Sequence, residues 1–186
     1  TPASISWRDS ATTASHTYLM TGAGVNGIFP NIASGYSYCI SMWVKPRVIA
    51  GSKGIMQLEN AAGIPQVSLT MNGTGIGVMW NNDPTTGIAS SGLISLNIWN
   101  HILFQQSDGA WIIKVNGTED TGTLATFPDF SLITQWRLGR GTDAAGAEQF
   151  DGLMSDIMVA QAYPNYTHRT VLYNDGAAFN MAQTVV

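Results

Sequence analysis

Short runs of alternating apolar and polar residues, separated by glycine-containing turns, constrain this chain most. Asn26-Gly27, Asn72-Gly73 and Asn116-Gly117 are strong turn signals, because both residue types tolerate positive φ. Runs with a two-residue period lie at Tyr38–Val44, Val67–Met71, Ile76–Trp80, Trp99–Gln106, Trp111–Val115, Gln135–Gly139 and Phe150–Ala160. Only Tyr166–Asn174 is a candidate for a short helix. The pattern predicts an all-β sandwich or barrel with at most one short helix.

Composition excludes several classes of protein. The chain has 186 residues, which favours one domain, predicted over 16–186 with an arm or linker at 1–15. Only 11% of residues are charged and the net charge is −4, so nucleic acid is not an expected partner. No stretch reaches 18 apolar residues, so membrane insertion is not expected either. The single cysteine, Cys39, can form neither an internal disulfide nor a zinc site, and is read as a buried thiol.

Several predicted strands carry apolar residues on both faces. Ile112 and Ile113 are adjacent, and so are Trp43 and Val44. A sheet that is covered on both sides would account for this pattern. An outer face that docks onto another copy or onto a partner subunit would account for it equally well.

Segments spread over most of the chain resemble one known family. They are Thr17–Leu19, Tyr38–Pro46 (YCISMWVKP), Ser95–Ile102 (SLNIWNHI), Asp108–Gly117, Leu138–Arg140 with Phe150–Ile157 (FDGLMSDI), and Val171–Gly176 (VLYNDG). In this order they resemble the laminin G-like branch of the concanavalin A-like lectin/glucanase superfamily. The resemblance implies a pentraxin-like jelly roll, a sandwich of two antiparallel sheets. It also implies framework roles for Trp43 and Trp99, and a packing and hydrogen-bonding role for His101.

The superfamily includes glycoside hydrolases, which need two nearby carboxyl groups. Glu119 and Asp120 are neighbours beside a turn and are expected to point apart. Glu148 and Asp151 lie three residues apart in a Gly/Ala-rich stretch, and Ser155 stands where the family usually has an acid. We therefore predict that the protein is not an enzyme, and a hydrolase remains an alternative only through the superfamily.

Calcium is the one cofactor that the resemblance brings into question. Laminin G-like and pentraxin-like domains often bind Ca²⁺ through loop oxygens, and Ca²⁺ takes six to eight such ligands. Asp83 follows Asn81 and Asn82 at a strand end, while Asp143, Glu148 and Asp151 follow Gly141. These acids are the candidate ligands. Ordinary turn chemistry is the alternative explanation for them, because Asn and Asp both favour turns.

Tryptophan and amide side chains suggest where a glycan would bind. Sugar rings stack on aromatic faces, and amides and hydroxyls bind sugar hydroxyls. Trp80 next to Asn81, Asn82 and Asp83 is the best candidate platform, followed by Trp111 and Trp136. The same residues could instead belong to the core.

The function predicted from the sequence is recognition without catalysis. The domain would bind a glycan or a host-cell surface as an exposed part of a virion, such as a phage capsid decoration, a fibre or a tail protein. The expected location is therefore a virion surface or the extracellular space. The expected partners are a host-surface ligand and other structural proteins, with the chain as a homo-oligomer or a docked subunit. The alternative is a purely structural assembly protein with no ligand.

Overall fold

The computed structural model describes residues 5–7, 38–80, 83–107, 109–123, 133, 135–139 and 149–160. These residues form strands and turns. None of them belongs to a helix that is long and apolar enough to cross a membrane. The strands are β1 (Ile5–Trp7), β2 (Tyr38–Pro46), β3 (Ser52–Glu59), β4 (Pro65–Asn72), β5 (Gly75–Trp80), β6 (Asp83–Leu93), β7 (Asn100–Ser107), β8 (Ala110–Val115), β9 (Thr118–Thr123), β10 (Gln135–Leu138) and β11 (Gly152–Ala160). The predicted helix at Tyr166–Asn174 lies outside the described residues.

The strands form two sheets. The six-stranded sheet has the order β1-β11-β2-β7-β8-β9, and the five-stranded sheet has the order β10-β3-β4-β5-β6. Neighbouring strands within each sheet are antiparallel. The prediction of a two-sheet antiparallel jelly-roll sandwich is confirmed.

The core lies between the two sheets and follows the predicted alternation. In β2, Tyr38, Ile40, Met42 and Val44 are all buried in it. The facing sheet contributes apolar residues from β3, β4 and β5, namely Ile55, Met56, Leu58, Val67, Leu69, Met71, Ile76 and Val78. Burying a side chain of this size stabilises the fold by about 1.5–3 kcal/mol, so these positions determine the register of each strand.

The strands that the sequence pattern missed are those with weak alternation. β6 (DPTTGIASSGL) and β9 (TEDTGT) lie at sheet edges and are largely polar. β3 (SKGIMQLE) has register shifts near Gly54 and Glu59, which break its period. Polar sequences are common in edge strands, because they limit pairing with other chains. β3 lies between β10 and β4, and its period is broken by its bulges.

The outer face of the six-stranded sheet is also buried. Trp43 alternates with the core residues of β2 and therefore faces away from the second sheet, yet it is only 2% exposed. His101 and Leu103 on β7 are completely buried on the same face. This burial arises within a single chain, so a sheet covered on both sides accounts for it without a docked partner. Trp99, for which the resemblance implied a framework role, lies just before β7 and is half-buried, so it is not part of the core.

Two predicted turns are present, with different geometries. Asn116 and Gly117 both have positive φ (49° and 89°) and connect β8 directly to β9, the geometry that favours Asn-Gly. At Asn72-Gly73 the turn is shifted by one residue. Asn72 ends β4 and pairs with Gly75, while Gly73 has φ +60°. The predicted arm contributes Ile5–Trp7, which pair with β11, and the predicted domain boundaries stay a prediction.

Candidate functional site

One end of the sandwich contains the strand ends that carry the predicted glycan-binding residues. We call it the tryptophan end; β3, β5 and β7 end there, and β4, β6, β8 and β10 begin there. Trp80 is the last residue of β5 and pairs with Asp83, the first residue of β6. Trp111 and Trp136 are the second residues of β8 and β10. The fold therefore brings three separate segments of the sequence to the same end.

The register assigns Trp80 and Trp136 to a single row of the five-stranded sheet. Trp136 pairs with Leu58, Leu58 pairs with Val67, and Val67 pairs with Trp80. Leu58 and Val67 are both core residues at 1% exposure. Trp80 and Trp136 are described by their backbone position, whereas Asn81 and Asn82 lie outside the described residues.

Trp111 is half-buried and packs against the core cluster. It pairs with Gly122 across the β8–β9 ladder. A Cβ at position 122 would lie 2.5 Å from Cζ2 of the indole ring, so a glycine is required there. One side of this ring therefore contacts the backbone of β9.

The described candidate calcium ligands lie at opposite ends of the sandwich. Asp83 begins β6 at the tryptophan end, whereas Asp151 precedes β11 at the other end. The Oδ1 atom of Asp151 accepts a hydrogen bond from Arg47 Nε at 2.8 Å. Asp143 and Glu148 lie outside the described residues, and the described part of the chain holds no group of three His, Cys, Asp or Glu side chains suited to a metal. Asp83 and Asp151 therefore cannot share one ion, and calcium binding stays a prediction.

Most carboxylates whose side chains are described already have partners. Glu59 lies 2.9 Å from Arg137, and Glu119 lies 3.9 Å from Lys114. Asp120 accepts hydrogen bonds from the backbone N–H and the hydroxyl of Ser91, both at 2.7 Å. As expected, Glu119 and Asp120 point in different directions. None of these acids is arranged with a second one as glycoside hydrolysis requires.

Ser41 and His101 form a buried pair that no sequence motif indicates. Ser41 Oγ and His101 Nε2 are 2.9 Å apart, and the Trp43 ring lies 5.1 Å from the imidazole. Burial, and secondly the charge of Lys114, lowers the pKa of His101 from 6.5 to about 4. A neutral imidazole that is fully buried beside a 4%-exposed serine is a weak base with no access to substrate. The packing and hydrogen-bonding role implied for His101 is confirmed.

The opposite end of the sandwich exposes apolar side chains, and we call it the apolar end. Leu93, Leu96 and Ile98 are 59%, 42% and 55% exposed, and Val48 is 37% exposed. Val48 lies in the segment that connects β2 to β3. Leu96 and Ile98 lie in the segment that connects β6 to β7, and Leu93 is the last residue of β6. Large apolar side chains grouped at a surface commonly mark contacts with other molecules.

Two asparagines hold the loop that carries these apolar side chains. Asn100 Nδ2 donates to the carbonyls of Ser95 and Ile98, and its Oδ1 accepts from Ser95 N–H. Asn116 Nδ2 donates to Leu93 O and to Asn100 Oδ1. The exposed apolar residues are thus presented by a loop fixed through side-chain hydrogen bonds.

The two antiparallel sheets and their strand order define a concanavalin A-like sandwich. A family model described as the Concanavalin A-like lectin/glucanases superfamily matches residues 14–163. This chain therefore belongs to the laminin G-like branch of that superfamily, as the sequence resemblance indicated.

Solved structures show the same fold. A native heptameric SAP-like pentraxin from Limulus polyphemus has a TM-score of 0.66 and 19% identity, with 91% of this chain and 80% of that chain covered. The Ruminococcus gnavus IT-sialidase CBM40, solved with α2,3-sialyllactose, has a TM-score of 0.60 and 12% identity, with coverages of 79% and 94%. The NanB sialidase from Streptococcus pneumoniae has a TM-score of 0.64 and 16% identity, with coverages of 91% and 28%. The comparison with curated protein sequences finds no match.

Proposed function

We propose that this protein is a non-catalytic recognition module that binds glycans through its tryptophan end. The observation that carries the proposal is the convergence of Trp80, Asp83, Trp111 and Trp136 at this end of the sandwich. Aromatic residues accompanied by a few polar groups are the usual lining of a small-molecule site. The CBM40 domain, which has the same fold, was solved with a bound sialylated sugar, and this supports a glycan ligand.

A glycan array tests the proposal. Wild-type protein is expected to bind at least one glycan class, and Trp80→Ala is expected to weaken that binding by about tenfold or more, the equivalent of about 1.4 kcal/mol. Trp99→Ala is the matched control, because Trp99 lies at the opposite end and is expected to leave binding unchanged. Running the array with Ca²⁺ and with a chelator tests the predicted metal in the same experiment.

A second variant distinguishes loss of glycan binding from loss of folding. Trp80 stands in register with core residues, so its loss could unfold the protein. Asn82→Ala, two residues further along, removes only an amide. Binding that is lost in Trp80→Ala and Asn82→Ala, with both variants still unfolding cooperatively, supports the proposal. The absence of any bound saccharide at millimolar concentration overturns it.

The second candidate function, that of a structural subunit, is favoured by the apolar end. Leu93, Leu96 and Ile98 offer a surface for another copy or for a neighbouring protein of an assembly. If the surface mediates self-association, the double variant Leu96→Ser/Ile98→Ser is expected to sediment as a smaller species than wild type. Identical monomeric sedimentation of both proteins at high concentration would rule out a homo-oligomer built on this surface.

The wider proposal is that the module is displayed on a virion as a decoration, fibre or tail component. Its support is compositional, namely a chain poor in charged residues and rich in Ser, Thr, Asn and Gly. Mass spectrometry of purified particles is expected to detect the chain. A soluble monomer that is found in no particle would contradict this part of the proposal.

A further inference from the structure

Four connections between consecutive strands lie at the apolar end and are hydrogen-bonded together. They are residues 47–51, 73–74, 94–99 and 116–117. Backbone bonds join the first three, namely Asn97 N–H to Pro46 O at 2.8 Å, Gly73 N–H to Gly51 O at 3.1 Å and Ile94 N–H to Thr74 O at 2.7 Å. Asn116 Nδ2 in the fourth donates to Leu93 O at 3.0 Å. The apolar end is therefore fixed in advance, so little conformational entropy is lost when a partner binds it.

Exposed apolar side chains are concentrated at this end. Among the residues that the structure describes, five large apolar side chains are exposed, and Val48, Leu93, Leu96 and Ile98 make up four of them. The fifth, Ile64, is 49% exposed and lies between β3 and β4, at the tryptophan end. A single exposed apolar residue needs no explanation, whereas a group of four on one fixed surface indicates a contact with another molecule.

The charge of the apolar end indicates which molecule fits it. Arg47 is the one charged residue of the four connections, and its Nε donates to Asp151 Oδ1 at 2.8 Å. An anionic membrane surface would need several unpaired Lys or Arg side chains here. In a twofold contact between copies, the same surface lies on both sides, so any net charge on it would repel itself. An uncharged end on a chain of net charge −4 therefore suits a second copy of this chain.

The size of the apolar end is sufficient for a reversible dimer. Five strands side by side span about 24 Å, and two stacked sheets with their outer side chains span about 20 Å. Such an end can bury about 500 Å² on each copy, or about 1,000 Å² in total, which is near the lower limit for a specific interface. The dimer is therefore expected to be weak and to depend on protein concentration.

We propose that two copies of this chain associate through their apolar ends about a twofold axis. The tryptophan end lies at the other end of the same strands, so the dimer points its two tryptophan ends in opposite directions. β2 and β4 have nine and eight residues, which rise about 3.3 Å each, so the two tryptophan ends are roughly 60 Å apart. If the proposed glycan-binding function holds, on which this last step rests, the dimer bridges two glycan-bearing surfaces.

Sedimentation velocity of the full chain, from micromolar to millimolar concentration, tests the dimer. The sedimentation coefficient of wild type is expected to rise with concentration. In Leu96→Glu/Ile98→Glu and in Leu96→Lys/Ile98→Lys, like charges face each other, so the dissociation constant of the dimer is expected to rise about tenfold or more. An equal mixture of the two variants is expected to associate again. Both positions are exposed, so urea unfolding of the variants is expected to match wild type.

Ile64→Glu is the matched control. It makes the same change from an apolar to an acidic side chain at a similarly exposed isoleucine, but at the tryptophan end. It is expected to associate as wild type does.

Two further measurements test the arrangement of the dimer. Small-angle X-ray scattering of wild type at high concentration is expected to give a maximum dimension about twice that of the monomer, because the long axes are in line. Beads coated with the glycan selected on the array are expected to be cross-linked by wild type. Leu96→Glu/Ile98→Glu is expected to bind the same beads without cross-linking them.

The possible failures are distinguishable. Wild type that stays monomeric at millimolar concentration, or a dimer that Leu96→Glu/Ile98→Glu does not weaken, overturns the inference and leaves the proposed glycan binding intact. A compact dimer with its two copies side by side overturns the opposite orientation of the tryptophan ends. An elongated dimer that binds no glycan contradicts the proposed function and supports the association through the apolar ends.

Discussion

At the scale of single residues, burial decides which polar groups can perform chemistry. His101 and Ser41 form a hydrogen-bonded pair of a kind that catalytic sites use, but both are buried beside Trp43. The sequence indicated that His101 packs and hydrogen-bonds, because it follows a tryptophan in a framework segment. Ser41 as its partner lies 60 positions away, and only the register of β2 against β7 brings the two together.

The lowered pKa of His101 predicts a specific loss of stability in acid. The folded pKa is about 4 and the unfolded value is 6.5, so between these values the unfolded state binds more protons. The free energy of unfolding therefore falls as the pH drops from about 6.5 to 4, by up to about 3 kcal/mol from this residue.

Urea unfolding of wild type, His101→Gln and Ser41→Ala across this pH range checks the effect. His101→Gln is expected to be less stable than wild type at pH 7, and the difference is expected to shrink towards pH 4. Ser41→Ala keeps the titrating ring and should keep the pH dependence. Parallel curves for wild type and His101→Gln would show that the buried imidazole does not cause the acid sensitivity.

At the scale of elements, alternation predicts a strand best where one face enters the core. β2 and β8 follow that rule, and their predicted core residues are buried. β6 and β9 lack this alternation, because as edge strands they are stabilised by backbone pairing and by contacts such as the Ser91–Asp120 hydrogen bonds. Those contacts join residues 29 positions apart, so no local pattern encodes them.

Loop 94–99 gives a second prediction at this scale. Asn116 combines a positive φ of 49° with three side-chain hydrogen bonds, to His101 N–H, Leu93 O and Asn100 Oδ1. Asn116→Gly keeps the backbone conformation but removes these bonds. We expect it to lower the free energy of unfolding by about 2–3 kcal/mol, at about 1 kcal/mol per bond.

Asn97→Gly provides the comparison. Asn97 also has positive φ (59°) but is exposed, so glycine there is expected to be neutral or slightly stabilising. Urea unfolding measures both variants. Equal effects of the two substitutions would mean that the Asn116 bonds do not hold the loop.

At the scale of the whole molecule, the two ends of the sandwich differ in chemistry. Trp80, Trp111 and Trp136 mark one end, and exposed Leu93, Leu96 and Ile98 mark the other. The order of the motifs was sufficient to predict the family and the two-sheet fold. It was insufficient to predict that Asp83 and Asp151 lie at opposite ends, or that Gln57 and Ser68 are neighbours, because strand direction and register are properties of the complete sheets.

Hydrogen exchange on the protein, with and without the glycan selected on the array, shows where that glycan binds. Added protection is expected to be concentrated at the tryptophan end, in β5, the start of β6 and the start of β10, with residues 94–99 unchanged. Protection centred on residues 94–99, or no protection at saturating glycan, would contradict glycan binding at the tryptophan end.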